Sequence, residues 1–588
     1  MSDKQPAWYF GNTTVRNPLR IRSGLIALEN STLNGYLIGK ESERRFADVL
    51  SEAGVVDITK SEREYSDMGR KWRACFSQLG FITHRFESKD LGEKEDIIKR
   101  VGSLMEGDCI SGLSFEITPN GRRMILAETF PEQQECMLRA LLAYELPSPI
   151  QQKDGKNEFN PLYFMLQVLK QLSYRSDIGL SNIEMGILMA IRTHEDSAID
   201  SIVEKFINYR EALEIIEGKV ARKKFSFETV LPYSEIVGIK ADSLSKDYPD
   251  LVYRYLRYTG LFSFQGRRLV LNYDKQPVID AILGKGIQLF GKSDPDKYLA
   301  RLWNGAGLPT DDKENAIAEI SRLKQLIIQH GAAETSLPEA DISKPVSDVN
   351  QIRLRLEELH KEQMEQDYAN SQAEEENVFE IISFLRKLDN KRDEFTDDIQ
   401  IYDKPAYLEW AVWRAFLAID SLVKPSYEAR RFKVDQDFLP VGTAPGRGPD
   451  MVFEFEDYAL VVEVTLTTSS RQEAAEGEPV RRHVAVEKAR VLAESGKPVY
   501  GLFIAGVVDN NTAETFRIGV WYSGDDPEFI NIVPITLEQF TRIMVYFQRK
   551  NFSVKQLRSF FDECLITRNA HAPAWKEAIE ISVSSFTE

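Results

Sequence analysis

The sequence predicts a multidomain chain of mixed α+β and α/β class: helices and hairpins first, then a helical connector, then a C-terminal α/β domain. Three observations predict it. The 588 residues exceed what one hydrophobic core serves, since single cores stop growing at roughly 250–300 residues. Hydrophobic periodicity changes along the chain. Helix-plus-hairpin stretches fill residues 1–280, long amphipathic helices fill 281–375, and strands alternate with helices over 376–588. Charge is also divided unevenly, with 38 basic and 40 acidic residues through 280, against 36 and 51 thereafter.

A composition of 43% hydrophobic and 28% charged residues is that of an ordinary globular protein. The formal net charge of -17 argues against indiscriminate polyanion binding. It does not exclude DNA, because the local field governs binding. No apolar run approaches the roughly 18–20 residues of a membrane span. The start, MSDKQPAWYF, lacks a basic stretch followed by an apolar one, so no secretion signal is expected. Cys75, Cys109, Cys136 and Cys564 lie far apart with no CxxC pair, which speaks against structural zinc and suits a reducing cytoplasm.

Two segments of the first half share an outline. GLSFEITPNGRRMILAE (112–128) reads as strand, turn and strand, with Asn120-Gly121 as a hairpin signal. GLFSFQGRRLVLN (260–272) reads alike, with Gly266 at the turn. Each leads through Gly-Arg-Arg into alternating aliphatic residues. Each also follows a helical stretch, MGRKWRACFSQLG (68–80) at some distance and DLVYRYLRYTG (250–260) directly. A helix with a basic-tipped hairpin is the outline of a winged helix, whose helix enters the major groove while the wing touches backbone. Residues 1–280 are therefore expected to form a DNA-recognition domain of two winged-helix-like parts. Its candidate DNA contacts are Arg122, Arg123, Arg254, Arg257, Arg267 and Arg268. The competing reading is two unrelated hairpins with solvated arginines and core tyrosines; the repetition favours DNA contact.

Residues 281–375 read as a helical linker. TDDKENAIAEISRLKQLIIQHG (310–331) is an amphipathic helix with Asp311 and Glu314 placed as a capping box and Gly331 as its stop. SDVNQIRLRLEELHKEQMEQ (347–366) is a second helix, and AETSLPEADISKP (333–345) between them is loop-like. AEEEN (373–377) reads as a solvated helix start.

From 376 to 588 the expected helices are ENVFEIISFLRKL, PAYLEWAVWRAFLAI, VRRHVAVEKARVLAE and LEQFTRIMVYFQRK. The expected strands are a pair within GRGPDMVFEFEDYALVVEVTLT (446–467), the buried VYGLFIAG (499–506) and a strand near FINIVPI (529–535).

The strand pair holds the candidate chemistry. A symmetrical reversal about Glu456-Asp457 sets Asp450 opposite Glu463, with Cβ atoms about 4.5–5.5 Å apart. Facing carboxylates repel, and a divalent cation between them removes that penalty. Mg²⁺ takes oxygen ligands and usually one or two protein carboxylates; the Val464 carbonyl offers another oxygen. Pro-Asp pairs stand at 249–250, 295–296 and 449–450, but only Asp450 leads into a strand that returns with a glutamate. In metal-dependent nucleases a lysine normally stands two residues after that glutamate, where this chain has Thr465. The pair is therefore either a nuclease site with its lysine moved or dispensed with, or an ordinary hairpin holding two acids. Glu409 is the odd charge in an otherwise apolar helix. Glu476 and Glu478 precede the helix of His483 and Lys488, where acids favoured by the helix dipole are the plain alternative.

Taken together, WAVWRAF preceded by Glu409, RGPDMVFEFEDYALVVEVT and EGEPVRRH resemble the cleavage domain of AlwI-like type IIS restriction endonucleases. That family includes site-specific nicking endonucleases. RYLRYTGLFSFQGRRLVLN resembles part of their recognition domain. The likeness runs over nearly the whole chain and is least distinctive in the connector. It implies an N-terminal recognition half, a helical linker and a C-terminal PD-(D/E)XK cleavage domain. It further implies that Asp450 and Glu463 are metal ligands beside the Val464 carbonyl, that Glu409 and Glu476 complete the acidic cluster, and that His483 lies near it. The family has Glu-Val-Thr where relatives have Glu-x-Lys, so Thr465 is compatible with activity. A second cation at Glu476 and Glu409 would replace the lysine. The alternatives are His483 receiving the water's proton, or Lys488 reaching in.

The expectation is a Mg²⁺-dependent site-specific deoxyribonuclease, with Mn²⁺ able to substitute. It would bind a short asymmetric site in double-stranded DNA and cut a few base pairs outside it. It would act as a nickase, or as a double-strand cutter with a second copy or a small catalytic subunit. Its expected setting is a bacterial cytoplasm, away from membranes, beside a cognate methyltransferase. The alternatives are a sequence-specific DNA-binding regulator with an inactive nuclease domain, and a nuclease acting on DNA structure or modified bases.

Overall fold

The computed structural model describes residues 6–588 apart from 38, 57–61, 86–100, 103–104, 106–113, 151–157, 176–178, 266–267, 390–402, 420–421, 447, 468–470 and 524. The chain forms two compact units, Met1–His360 and Lys361–Glu588. The boundary falls within the helix Val346–Ser371, so the residues read as a connector are divided between the two. No helix among the described residues is long and apolar enough to cross a membrane.

The first unit is mainly helical, with two antiparallel strand pairs. Strand β1 (Ile82–His84) pairs with β2 (Phe115–Ile117), and β3 (Phe262–Gln265) pairs with β4 (Arg268–Leu271). The second expected hairpin is thus present, directly after the helix Asp247–Arg257. Its turn, with Gly266 and Arg267, lies outside the described residues. The first expected hairpin does not form. After β2, Thr118 caps the helix Pro119–Leu126 by accepting from the Gly121 N–H at 3.0 Å, with Pro119 in its first turn. A capping Thr followed by Pro is a helix start, and here it overrides Asn120-Gly121 as a turn signal. The described residues therefore hold one helix-hairpin unit of the expected kind, not two. The tyrosines of that unit belong to the core, with Tyr253, Tyr255 and Tyr258 at most 3% exposed.

The helix Lys313–Gln329 begins one residue later than the capping box suggested. Asp312 accepts from the Asn315 N–H at 3.0 Å, while Asp311 closes the preceding turn on the Leu308 N–H at 2.7 Å. Gly331, at φ +97, ends it as expected. Its apolar face meets Val349 and Leu356 of the long helix.

The second unit is built on a four-stranded sheet. β5 (Met451–Glu454) runs antiparallel to β6 (Ala459–Thr465), and β7 (Val499–Ala505) runs parallel to β6 and to β10 (Asn531–Thr536). The order is β10-β7-β6-β5. β7 is buried along its whole length, as its continuous apolar run requires of a central parallel strand. The parallel links pass through helices, Glu478–Ser495 between β6 and β7 and Asn510–Ile518 after β7. Gly501 allows the first of these to lie close, because a Cβ there would stand 2.8 Å from Val484 and 2.9 Å from Ile532. A separate hairpin of β8 (Val520–Ser523) and β9 (Asp526–Phe529) precedes β10. The helix Lys404–Ile419 packs on the sheet through Phe416, 4.7 Å from Phe453 between ring centres, and is buried almost all round.

Candidate active site

β5 and β6 take the register expected from the sequence, Met451 facing Val462 and Glu454 facing Ala459. One step further along, Asp450 stands against the end of β6, where its Oδ2 accepts from the Val464 N–H at 2.9 Å and its carboxyl meets that of Glu463. Alternation puts Glu463 and Thr465 on one face and Val464 on the other.

Two further acids converge on this point from other elements. Glu409, 5% exposed in the buried helix, accepts from the Ala444 N–H at 2.7 Å and feels the charges of Asp450 and Glu463. Glu476 lies in a five-residue π-type turn, Glu473–Gly477, that opens the helix Glu478–Ser495. It is in hydrogen-bond contact with Thr465, the residue at the expected lysine position. Buried Gln472 pins the start of that turn, donating to the Thr467 and Val507 carbonyls at 2.7 and 2.8 Å and accepting from the Asp509 N–H at 2.9 Å.

Burial is the main cause of every carboxyl shift in this cluster; repulsion by a neighbouring acid comes next for Asp450, Glu409 and Glu463, whereas at Glu476 the Thr465 hydrogen bond and His483 partly offset burial. Asp450 and Glu409 are pushed well above the usual carboxylate range, Glu463 to about 8, and Glu476 upward. His483 Nδ1 stands 2.6 Å from Glu463 Oε1, while its buried Nε2 has no hydrogen-bond partner. Burial, then the charges of Arg482 and Arg431, lower the His483 pKa to about 4, so the ring is neutral at physiological pH. Among the described residues no three Asp, Glu, His or Cys side chains are already close enough together to hold a metal ion. The donor set still suits a hard cation, because neighbouring carboxyls, Glu409 and Glu463 buried and Asp450 and Glu476 half-buried, ionise together readily only with positive charge among them.

This arrangement carries a pH prediction. A carboxyl raised from about 4.5 to about 8 holds its proton longer in the folded state, so its contribution is complete at low pH and is lost as pH rises towards 8. His483, lowered from 6.5 to about 4, acts in the opposite direction, but only below pH 6.5. Stability in EDTA is therefore expected to fall by about 2 kcal/mol between pH 6.5 and 8 from Glu463 alone. Thermal melts across that window check it, and a flat or rising profile would refute it.

The other sequence candidates lie elsewhere. Lys488 is held by Glu528 at 3.1 Å and by the Phe529 carbonyl at 3.0 Å, so it does not reach in. Glu478 pairs with Arg482 on the surface. The arginines of the first unit are bound within their own fold: Arg122 to Glu29, Arg123 to the Asn304 carbonyl, and Arg254 to Asp250 at 3.0 Å. Arg257 is stacked over Phe264, and Arg268 is bound to Glu184 at 3.1 Å. Arg267 lies outside the described residues. One site residue escaped the sequence reading. Arg431, in the segment that bridges to β5 at Arg430 and Met451, places its charge near both Glu463 and His483. No motif marks it, because only the fold brings it beside Asp450.

With this geometry in place, comparison with known proteins defines the class, a site-specific endonuclease that acts on DNA. The AlwI restriction endonuclease family matches residues 77–543, and the chain belongs to that family. No curated protein matches. Among solved structures, the chain is similar to the small subunit (R.BspD6I2) of the heterodimeric restriction endonuclease R.BspD6I. Identity is 22% and the TM-score 0.28, over 35% of this chain and 98% of that one.

Proposed function

We propose that the chain is a type IIS restriction endonuclease, which reads a short asymmetric DNA site with its first unit. The second unit, with a PD-(D/E)XK type of site, hydrolyses a phosphodiester bond a few base pairs away. The observation that carries this reading is the approach of buried Glu409 and Glu463 and half-buried Asp450 and Glu476 to the end of β6. A DNA-binding protein without cleavage would have no use for so costly a cluster.

Asp450, Glu463 and the Val464 carbonyl would hold Mg²⁺ or Mn²⁺, with Glu476 and Glu409 as further donors. Such an ion lowers the pKa of water and offsets charge on the phosphate. The Val464 N–H fixes one oxygen of Asp450, and His483 fixes one oxygen of Glu463. Neutral His483 keeps Nε2 unpartnered, so it is the better candidate than Lys488 to take the proton of the attacking water. Thr465 orients Glu476 in place of a lysine. Arg122, about half exposed, is the foremost DNA-contact candidate, with Arg267 retained from the sequence; Arg123, Arg254, Arg257 and Arg268 support the scaffold of the first unit.

The test is a supercoiled plasmid incubated with the protein in Mg²⁺, Mn²⁺ or EDTA, followed by run-off sequencing of both strands. The expected result is cutting in either metal at a fixed offset from one short sequence, with none in EDTA. Open circles would mean a nickase, and linear product would mean pairing with a second copy or a small catalytic subunit. Loss of cutting on DNA methylated at the site would support a cognate methyltransferase. Specific binding without cutting on modified or unmodified plasmid would instead favour the regulator reading.

A further inference from the structure

We propose that Arg431 supplies the positive charge that Thr465 cannot, by contacting a non-bridging oxygen of the scissile phosphate; this rests on the nuclease reading above. The placement is geometric. The Arg431 N–H donates to the Asp450 carbonyl at 3.2 Å, so the residue lies alongside the first metal-ligand candidate. Its side chain folds over the Gly448-Pro449 peptide, with Nη1 3.5 Å from the Pro449 carbonyl, the only side-chain hydrogen bond it makes among the described residues. That bond is at the limit of length and leaves most of a five-donor guanidinium uncommitted.

The loop before Asp450 is shaped to admit this group. A Cβ on Gly448 would lie 1.6 Å from Arg431 Nη1, so glycine there leaves room for the guanidinium. Adjacent Arg430 shows the contrast. It points to the opposite side of the same extended segment and is fully engaged, its fork bound to both oxygens of Glu365 at 2.7 Å. Arg431 has no such carboxylate partner among the described residues, yet its field reaches Glu463 and His483. A half-buried, weakly held guanidinium beside the proposed metal ligands has the spare donors that a phosphate oxygen requires.

The experiment is single-turnover cleavage at saturating enzyme in Mg²⁺, for wild type, Arg431→Ala, Arg431→Lys, Gly448→Ala and Glu463→Gln. Site binding is measured in parallel in Ca²⁺, and folding by thermal melting. Removing one preorganised donor to developing charge costs about 10²–10³-fold, so Arg431→Ala is expected to slow cleavage about 10²-fold. Site affinity should stay within about threefold, and Arg431→Lys should recover part of the rate. Gly448→Ala, which displaces the guanidinium without removing it, should also slow cleavage while melting normally.

A single phosphorothioate at the scissile position separates contact from support. Sulfur in place of the contacted oxygen should slow the wild type, and that effect should shrink in Arg431→Ala. Cleavage by Arg431→Ala within about threefold of wild type, with Glu463→Gln inactive, overturns the role of Arg431 alone. An unchanged sulfur effect in Arg431→Ala, or in Arg431→Lys should the alanine variant not fold, also overturns it. Normal cutting by Glu463→Gln would overturn the assignment of the acid cluster as the cleavage site, and no cutting by the wild type in Mg²⁺ or Mn²⁺ would overturn the nuclease reading itself.

Discussion

Asp450→Asn is expected to slow DNA cleavage by at least about 10³-fold while leaving recognition of the DNA site intact. The side chain keeps its shape but loses the charge that would hold a cation. Metal assistance is worth several kcal/mol in such hydrolyses, and each 1.36 kcal/mol is tenfold in rate. The same substitution should stabilise the metal-free protein at pH 8. Asp450 is pushed well above the usual range by burial and then by Glu463, so ionising it costs folding free energy. An amide removes that cost, and a rise in melting temperature on the order of 5 °C in EDTA is expected. Loss of activity with gain of stability is the signature of a functional acid. Cleavage near the wild-type rate, or a lower melting temperature with both Asn and Ala at this position, would remove Asp450 from the site.

Glu184→Ala is expected to destabilise the first unit by about 3–5 kcal/mol, the cost of breaking a buried ion pair from one side. Glu184 is fully buried. It receives Arg210 at 2.6 Å and Arg268 at 3.1 Å while capping its own helix from the Ser181 N–H and hydroxyl at 2.8 Å. Its loss strips the carboxylate from two guanidinium groups that otherwise share the Gly179 carbonyl, and loosens the hairpin that carries Arg268. Urea unfolding followed by fluorescence of Trp8 and Trp72 reads the first unit. Glu184→Gln, which preserves part of the hydrogen bonding, should cost less than Ala. Equal, small effects of both would mean that the arginines relax to solvent and that the pair is not structural.

Much of the second unit was legible in the sequence because its signals are local and agree with one another. The turn at Glu456-Asp457, the alternation along Ala459–Thr465 and the apolar run Val499–Ala505 each specify one element, and the strand register follows from the first two. The first unit was less legible. At residues 118–123 two valid local signals compete, and the Thr118-Pro119 helix start prevails over the Asn120-Gly121 turn because the chain after β2 is already committed to pairing with β1. The arginines there carry no mark that separates a phosphate contact from an internal ion pair; Arg268 takes its partner from residue 184, far away in the chain. Arg431 is hidden for the same reason, since its relation to Asp450 exists only across a strand bridge.

The π-type turn at Glu473–Gly477 is, in register terms, one residue inserted into an otherwise ordinary helix start. An ordinary turn would advance each residue by about 100° around the axis, so removing a single residue there would swing position 476 away from β6. Such a deletion would leave the hydrophobic core and the net composition almost untouched, yet the acid cluster would be one member short. Among chains of this kind, the length of that short stretch is therefore a sharper indicator of a competent cleavage unit than its polarity.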